Sequence, residues 1–146
     1  MKIRKYSQNE HDQVIFASLK TYEKYWKKGY IVSINPGNKL CHDVGGGHFP
    51  DLVVWKPNGN IDGTFNTNNT IIIEEVETNE TINDVKAKQW EYYAKTGATF
   101  FLIVPRDCYE KTIKIVQGKG INVTMIQYYF FDAKGNVKFS SEFENV

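Results

Sequence analysis

Cysteine is scarce in this 146-residue chain: Cys41 and Cys108 lie far apart and lack the spacing of a metal-ligand pair. Such scarcity fits a reducing compartment, where a disulfide does not persist, and it excludes a zinc-finger or disulfide scaffold. Apolar runs are short too, none approaching the roughly 18–20 residues that a membrane helix needs. The opening MKIRKYSQNEHD has basic residues but no apolar h-region, so it does not read as a secretory signal. The sequons at Asn68, Asn79 and Asn122 are then coincidences of an Asn-rich chain, and a soluble cytoplasmic protein is expected. There is no P-loop, no Ser/His/Asp arrangement, no repeat, no low-complexity tract and no linker. Net charge is only +1, so the overall field gives little pull on nucleic acid.

What remains is the profile of one folded domain spanning 1–146. A hydrophobic fraction of 41% and an aromatic fraction of 14% argue against a disordered tail, and the length can bury a core. Charge is unevenly spread. Residues 1–40 hold eight Lys/Arg against three Asp/Glu, whereas acids gather at Glu74, Glu75, Glu77, Glu80 and Asp84. A basic flank beside an acidic cluster suits a metal site facing a phosphate backbone, and it equally suits a solvated surface.

Along the chain, Ser7-Gln8-Asn9-Glu10 has the form of a capping box, followed at helical spacing by Ile15, Leu19, Tyr22 and Trp26. This predicts a helix over about 8–28, stopped at Gly29. Tyr30 to Asn35 reads as a short strand, and 36–49, with Gly45-Gly46-Gly47, as a loop or irregular hairpin. Asp51 to Trp55 is a β-branched strand opened by Pro50, and 56–69 is turn chemistry connecting it to the next strand. In that strand, Thr70 to Glu77, Ile71-Ile72-Ile73 is apolar on both faces, the mark of a central position. A helix over 80–96, a strand from Ala98 to Val104, a helix from Cys108 to Gln117 and a strand from Ile121 to Phe131 follow. The turn Asp132-Ala-Lys-Gly135 leads into a last strand at 136–140. The order α-β-β-β-α-β-α-β-β implies an α/β protein with a mixed sheet flanked by helices.

Three features could carry chemistry: Pro50-Asp51, Glu75-Val76-Glu77, and Gln89 with Tyr93. Residues two apart on a strand share a face, so Glu75 and Glu77 project together and Glu74 projects oppositely. If the strands at 51–55 and 70–77 pair as a hairpin, Asp51 joins them at one end of the sheet. Hard cations such as Mg²⁺ take oxygen ligands of this kind. On the following helix Lys86, Gln89 and Tyr93 share a face, whereas Lys88 points about 160° away from Lys86. Each feature alone also has an ordinary reading: a strand entrance, an acidic helix N-terminus, helix packing. Glu10 and Glu23 read as cap or surface residues, Trp55 and Trp90 as packing, and His11 and His42 join no constellation. Gly45-Gly46-Gly47-His48 reads as a flexible connection, or as a loop that brings His48 near a metal.

Taken together, these features resemble the PD-(D/E)XK nuclease superfamily, which includes restriction endonucleases and archaeal Holliday-junction resolvases. The resemblance covers roughly residues 8–105. Pro50-Asp51 matches its Pro-Asp, Glu75 the Glu of its Glu-x-Lys, and Gln89/Tyr93 its Gln-x-x-x-Tyr. It implies a restriction endonuclease-like fold, with an α-βββ-α-β core followed here by α-β-β. It further implies a Mg²⁺- or Mn²⁺-dependent endonuclease acting on DNA rather than RNA, and homodimers. In that case Asp51, Glu75 and Glu77 would hold the metal, and Gln89 and Tyr93 would orient the site or touch the backbone. The sequence departs from the family where Glu77 stands in place of the usual Lys, and Lys86 is the candidate replacement. That departure supports an alternative: an inactive nuclease-like domain that binds nucleic acid or a protein. An unrelated small α/β domain would leave these acids scattered in space.

Overall fold

A computed structural model describes residues 2–35, 48–56 and 70–140, with side chains from Gln8 onward. The loop around Gly45-Gly46-Gly47, the cysteine Cys41, His42 and the 57–69 connection lie outside the described residues.

Helix α1 spans Lys2–Leu19, a 3-10 turn covers Lys20–Tyr22, and the short helix α2 spans Glu23–Lys27. Six strands follow: β1 Ile31–Ile34, β2 Leu52–Trp55, β3 Thr70–Val76, β4 Thr99–Pro105, β5 Met125–Phe131 and β6 Val137–Phe139. Helix α3, Asp84–Ala94, links β3 to β4, and α4, Tyr109–Lys119, links β4 to β5. The strands lie in sequence order in one sheet. Pairs β1–β2 and β2–β3 are antiparallel, β3–β4 and β4–β5 parallel, and β5–β6 antiparallel. The helices sit where parallel neighbours require a crossover.

Alternation sorts the strand side chains onto two covered faces. Val53, Trp55, Ile73, Leu102 and Val104 pack with Ala87, Trp90 and Tyr93 of α3 and Val116 of α4. On the other face, Val76, Ile103 and Tyr129 pack with Val14 and Ile15 of α1, and Leu52, Val54 and Ile72 with Tyr22. A sheet buried on both faces explains why β3 and β4 read as continuous apolar runs. The mixed α/β expectation therefore holds. No helix among the described residues is long and apolar enough to cross a membrane.

Several expectations about the elements need correction; the last long strand, for one, begins at Met125 and not at Ile121. Helix α1 begins at Lys2, so Ser7-Gln8-Asn9-Glu10 lies inside it and not at its start. Within it Gln8 Nε2 donates to Asp12 Oδ1 across one turn at 2.9 Å, support of the kind an interior segment gains. The second helix starts at Asp84, where Asn83 accepts the Lys86 N–H at 2.8 Å; residues before it form turns. Trp26 is 43% exposed, because the 3-10 turn at Lys20–Tyr22 breaks the helical period and brings Tyr25 inward instead. Gly29 ends the first helical segment as expected, with φ of 89° that side chains disfavour. At the last turn Asp132 accepts the Lys134 and Asn136 N–H groups, both at 2.9 Å.

Candidate functional site

The register pairs Leu52 with Glu74, which sets Asp51 beside the end of β3. Two hydrogen bonds lock them. The Asp51 N–H donates to Glu75 Oε1 at 2.9 Å, and the Val76 N–H donates to Asp51 Oδ2 at 2.8 Å. Beyond β3, the Glu77 N–H donates to the Ile103 carbonyl at 2.8 Å, extending the strand by one step. Glu75 and Glu77 therefore both face α3. Strand period and hairpin pairing bring Asp51, Glu75 and Glu77 to one place, as expected.

From α3, Lys86 Nζ stands 3.7 Å from Glu75 Oε2 and 3.8 Å from Glu77 Oε1, reaching both acids. Lys88, on the same helix, is exposed. Gln89 Nε2 donates to the Tyr93 hydroxyl at 2.8 Å, and Tyr93 is fully buried. Burial and the negative Glu75 and Asp51 raise the Tyr93 phenol well above its ordinary value, so it stays a neutral donor beside the acids. His48 stacks on Tyr92, with ring centroids 3.9 Å apart, and meets Tyr93 edge-on at 5.9 Å. All six expected residues thus occupy one neighbourhood.

Two further residues belong to it. Trp90 Nε1 donates to Glu77 Oε2 at 2.6 Å, so this indole holds an acid as well as packing. His11 on α1 places Nε2 2.9 Å from Asp51 Oδ1, while Nδ1 lies 3.2 Å from Asp12. A signal for His11 exists in the sequence. His11, Ile15, Ser18 and Tyr22 fall at i, i+4, i+7 and i+11, the buried stripe of the helical segment. Glu10, by contrast, is turned toward Tyr129 and Glu80.

Electrostatics here are strained by burial. Glu75 and Glu77 are 2% and 1% exposed. Burial, with repulsion from Asp51, drives the Glu75 carboxyl well above the usual range, with Lys86 opposing. Burial likewise lifts Glu77 to about 7 against the pull of Lys86. For His11, burial opposes the charged form, but the hydrogen bond and charge of Asp51 prevail and raise it to about 9. Three carboxyl groups thus share two cationic partners in a buried region, which favours protonation of Glu75 and Glu77.

On the opposite face Glu74 is also buried. Ser18 Oγ donates to its Oε1 at 2.5 Å and the Tyr22 hydroxyl to its Oε2 at 2.6 Å. Burial raises this carboxyl to about 7.

Every oxygen of Asp51, Glu75 and Glu77 already faces a donor or cation of the protein. Among the described residues, no three His, Cys, Asp or Glu groups are disposed as they stand to hold a metal ion. A groove lined by Thr81, Asn83, Val85, Lys86 and Gln89 opens beside the cluster. In comparisons with protein-family models, curated proteins and solved structures, the chain matches none.

Proposed function

We propose that this chain is a divalent-metal-dependent endonuclease that hydrolyses DNA phosphodiester bonds, with a divergent PD-(D/E)XK site. One observation carries the reading: the Lys86 ammonium, delivered from α3, reaches Glu75 on β3 and Glu77 just beyond it, the two acids beside Asp51. A lysine there can do the work of the one absent at position 77. The three-strand antiparallel meander followed by a parallel crossover through α3 supports the restriction endonuclease-like fold.

Asp51, Glu75 and Glu77 would supply the all-oxygen donor set that Mg²⁺ or Mn²⁺ takes, and the mutual repulsion of their ionised forms is what such an ion would relieve. When bound, the metal supplies an activated water and charge stabilisation at the scissile phosphate. Asp51 and Glu75 would hold it, and Glu77 would complete the coordination or position water. Lys86, with side-chain exposure of 30%, would meet the phosphate at the solvent edge of the cluster. Gln89 and Tyr93 would orient the site as a hydrogen-bonded pair. Exposed Lys20, Lys24, Lys27 and Lys28 would give salt-sensitive contacts to the backbone. A homodimer is part of the same reading, and the mass in solution tests it.

A second reading has its own support. Because each acid oxygen already has a protein partner, the cluster can also stand as the relic of such a site in a domain that only binds. Incubation with duplex, branched and single-stranded DNA, with Mg²⁺ or Mn²⁺ and with chelator, separates the two. Metal-dependent cleavage lost in Asp51→Asn is the result expected of the enzyme. Binding without cleavage under every condition assigns the chain to the second reading.

A further inference from the structure

A cavity of about 280 Å³ lies on the face of the sheet away from the acid cluster. Glu74 contributes to its lining, together with the aromatic rings of Tyr22, Tyr25, Phe101 and Phe139. Exposed Thr21 and Lys24 belong to its outer part. Its volume sits at the small end of ligand pockets, suited to a compact molecule.

The chemistry of this cavity is specific. Ser18 and Tyr22 approach the two Glu74 oxygens at 2.5 and 2.6 Å, so one hydroxyl serves each oxygen of the carboxyl group. Hydroxyls bring donors but no charge. Among the described residues no ammonium, guanidinium or imidazole forms an ion pair with Glu74. A carboxylate has about four lone-pair sites, so each oxygen can accept once more. The rings of Tyr22, Phe101 and Phe139 in the lining suit a cation as well.

We infer that this cavity is a binding site for a small planar organic cation, an amidinium or guanidinium, paired with Glu74 and held against the tyrosine rings. A planar fork presents two parallel N–H donors to the two oxygens, and its flat face suits aromatic walls. The site uses the other face of the sheet and none of the residues of the acid cluster, which reaches Glu74 only through the charge of Asp51.

Benzamidine, with its neutral counterpart benzamide, is the probe, and ligand-observed NMR titration of the whole chain is the readout. Benzamidine is expected to bind saturably and at least about tenfold more tightly than benzamide, a difference of about 1.4 kcal/mol. Glu74→Gln should erase that preference, and Asp51→Asn should keep it. If Glu74→Gln fails to fold, Thr21→Trp at the outer part of the cavity should weaken benzamidine binding with Glu74 intact. Absence of saturable binding to the native chain overturns the inference. So does an unchanged preference in a folded Glu74→Gln, unweakened binding in Thr21→Trp, or loss of the preference in Asp51→Asn.

Discussion

Glu74 and Glu75 are adjacent in sequence, yet β3 sends them to opposite faces, where burial of a carboxyl group is handled in two different ways. Facing α1, Glu74 meets two neutral hydroxyls. Facing α3, Glu75 and Glu77 meet the ammonium of Lys86, and Asp51 adds a third acid held by His11. Neutral donors fix geometry without cancelling charge. An ammonium with 30% side-chain exposure cancels charge and still borders solvent. The contrast is one of partners: the α3 face gathers three acids around a partly exposed cation, while the α1 face holds one acid between two hydroxyls.

The sharpest way to break this contrast is to remove the ammonium. Lys86→Met leaves Glu75 and Glu77 buried without their cation. Loss of one partner of a buried pair costs about 3–5 kcal/mol, and the partial exposure of Lys86 argues for the lower end. Lys88→Met should stay within about 0.5 kcal/mol of the native chain. Urea unfolding of both variants checks this, and equal stabilities would remove Lys86 from the cluster's energetics.

Next in size is the response to metal. If the α3 face takes a divalent ion, Mg²⁺ at about a hundred times its Kd adds about 2.7 kcal/mol to the native state. At roughly 2–4 °C per kcal/mol for a chain near this size, Tm should rise by several degrees. Asp51→Asn should lose the rise and Glu74→Gln should keep it.

Smaller effects compare donors on the two faces. Trp90→Phe keeps most of the ring but leaves Glu77 Oε2 without its indole donor. Tyr22→Phe does the same to Glu74 Oε2. Each should cost about 1–3 kcal/mol, the penalty of an orphaned buried acceptor. Thermal or urea unfolding reads both, and a neutral outcome at either position would show that its acid is satisfied otherwise.

The gentlest test is the pH dependence of Glu74. Its folded carboxyl is raised to about 7 from an ordinary value of 4.5, chiefly by burial. The native state therefore binds this proton more tightly than the unfolded chain does. Its contribution to stability is full below about pH 4.5 and is lost as pH rises through about 7. Glu74→Gln should flatten that part of the stability profile, and an unchanged slope would show that Glu74 does not titrate there.

Much of the α3 face was legible because its signals are periodic. Strand alternation puts Glu75 and Glu77 together, helix period joins Lys86, Gln89 and Tyr93, and the triple Ile run marks β3 as central. What stayed hidden depends on long-range contacts between residues with ordinary local patterns. His11 meets Asp51 only because α1 crosses the sheet at that point, although the stripe it shares with Ile15, Ser18 and Tyr22 was available to be read. Trp90 reads as packing, since nothing local tells that its N–H will find Glu77. The misplaced helix starts have a similar cause. Ser7 and Glu10 satisfy a capping pattern, but the turn before them is helical too, and Asn83 caps α3 four residues later than the acidic run suggests.

The central claim is that the acids gathered at Asp51, Glu75 and Glu77 do metal-dependent chemistry rather than merely sit buried. Cleavage of supercoiled and branched DNA by the native chain and by Asp51→Asn, in Mg²⁺ and in chelator, addresses it most directly. Cutting by the native chain is expected only with metal, reduced by at least about a hundredfold in Asp51→Asn, whose DNA binding persists or tightens as a negative charge is removed. Cleavage that survives Asp51→Asn or chelator would contradict it, as would a native chain that binds DNA yet never cuts it.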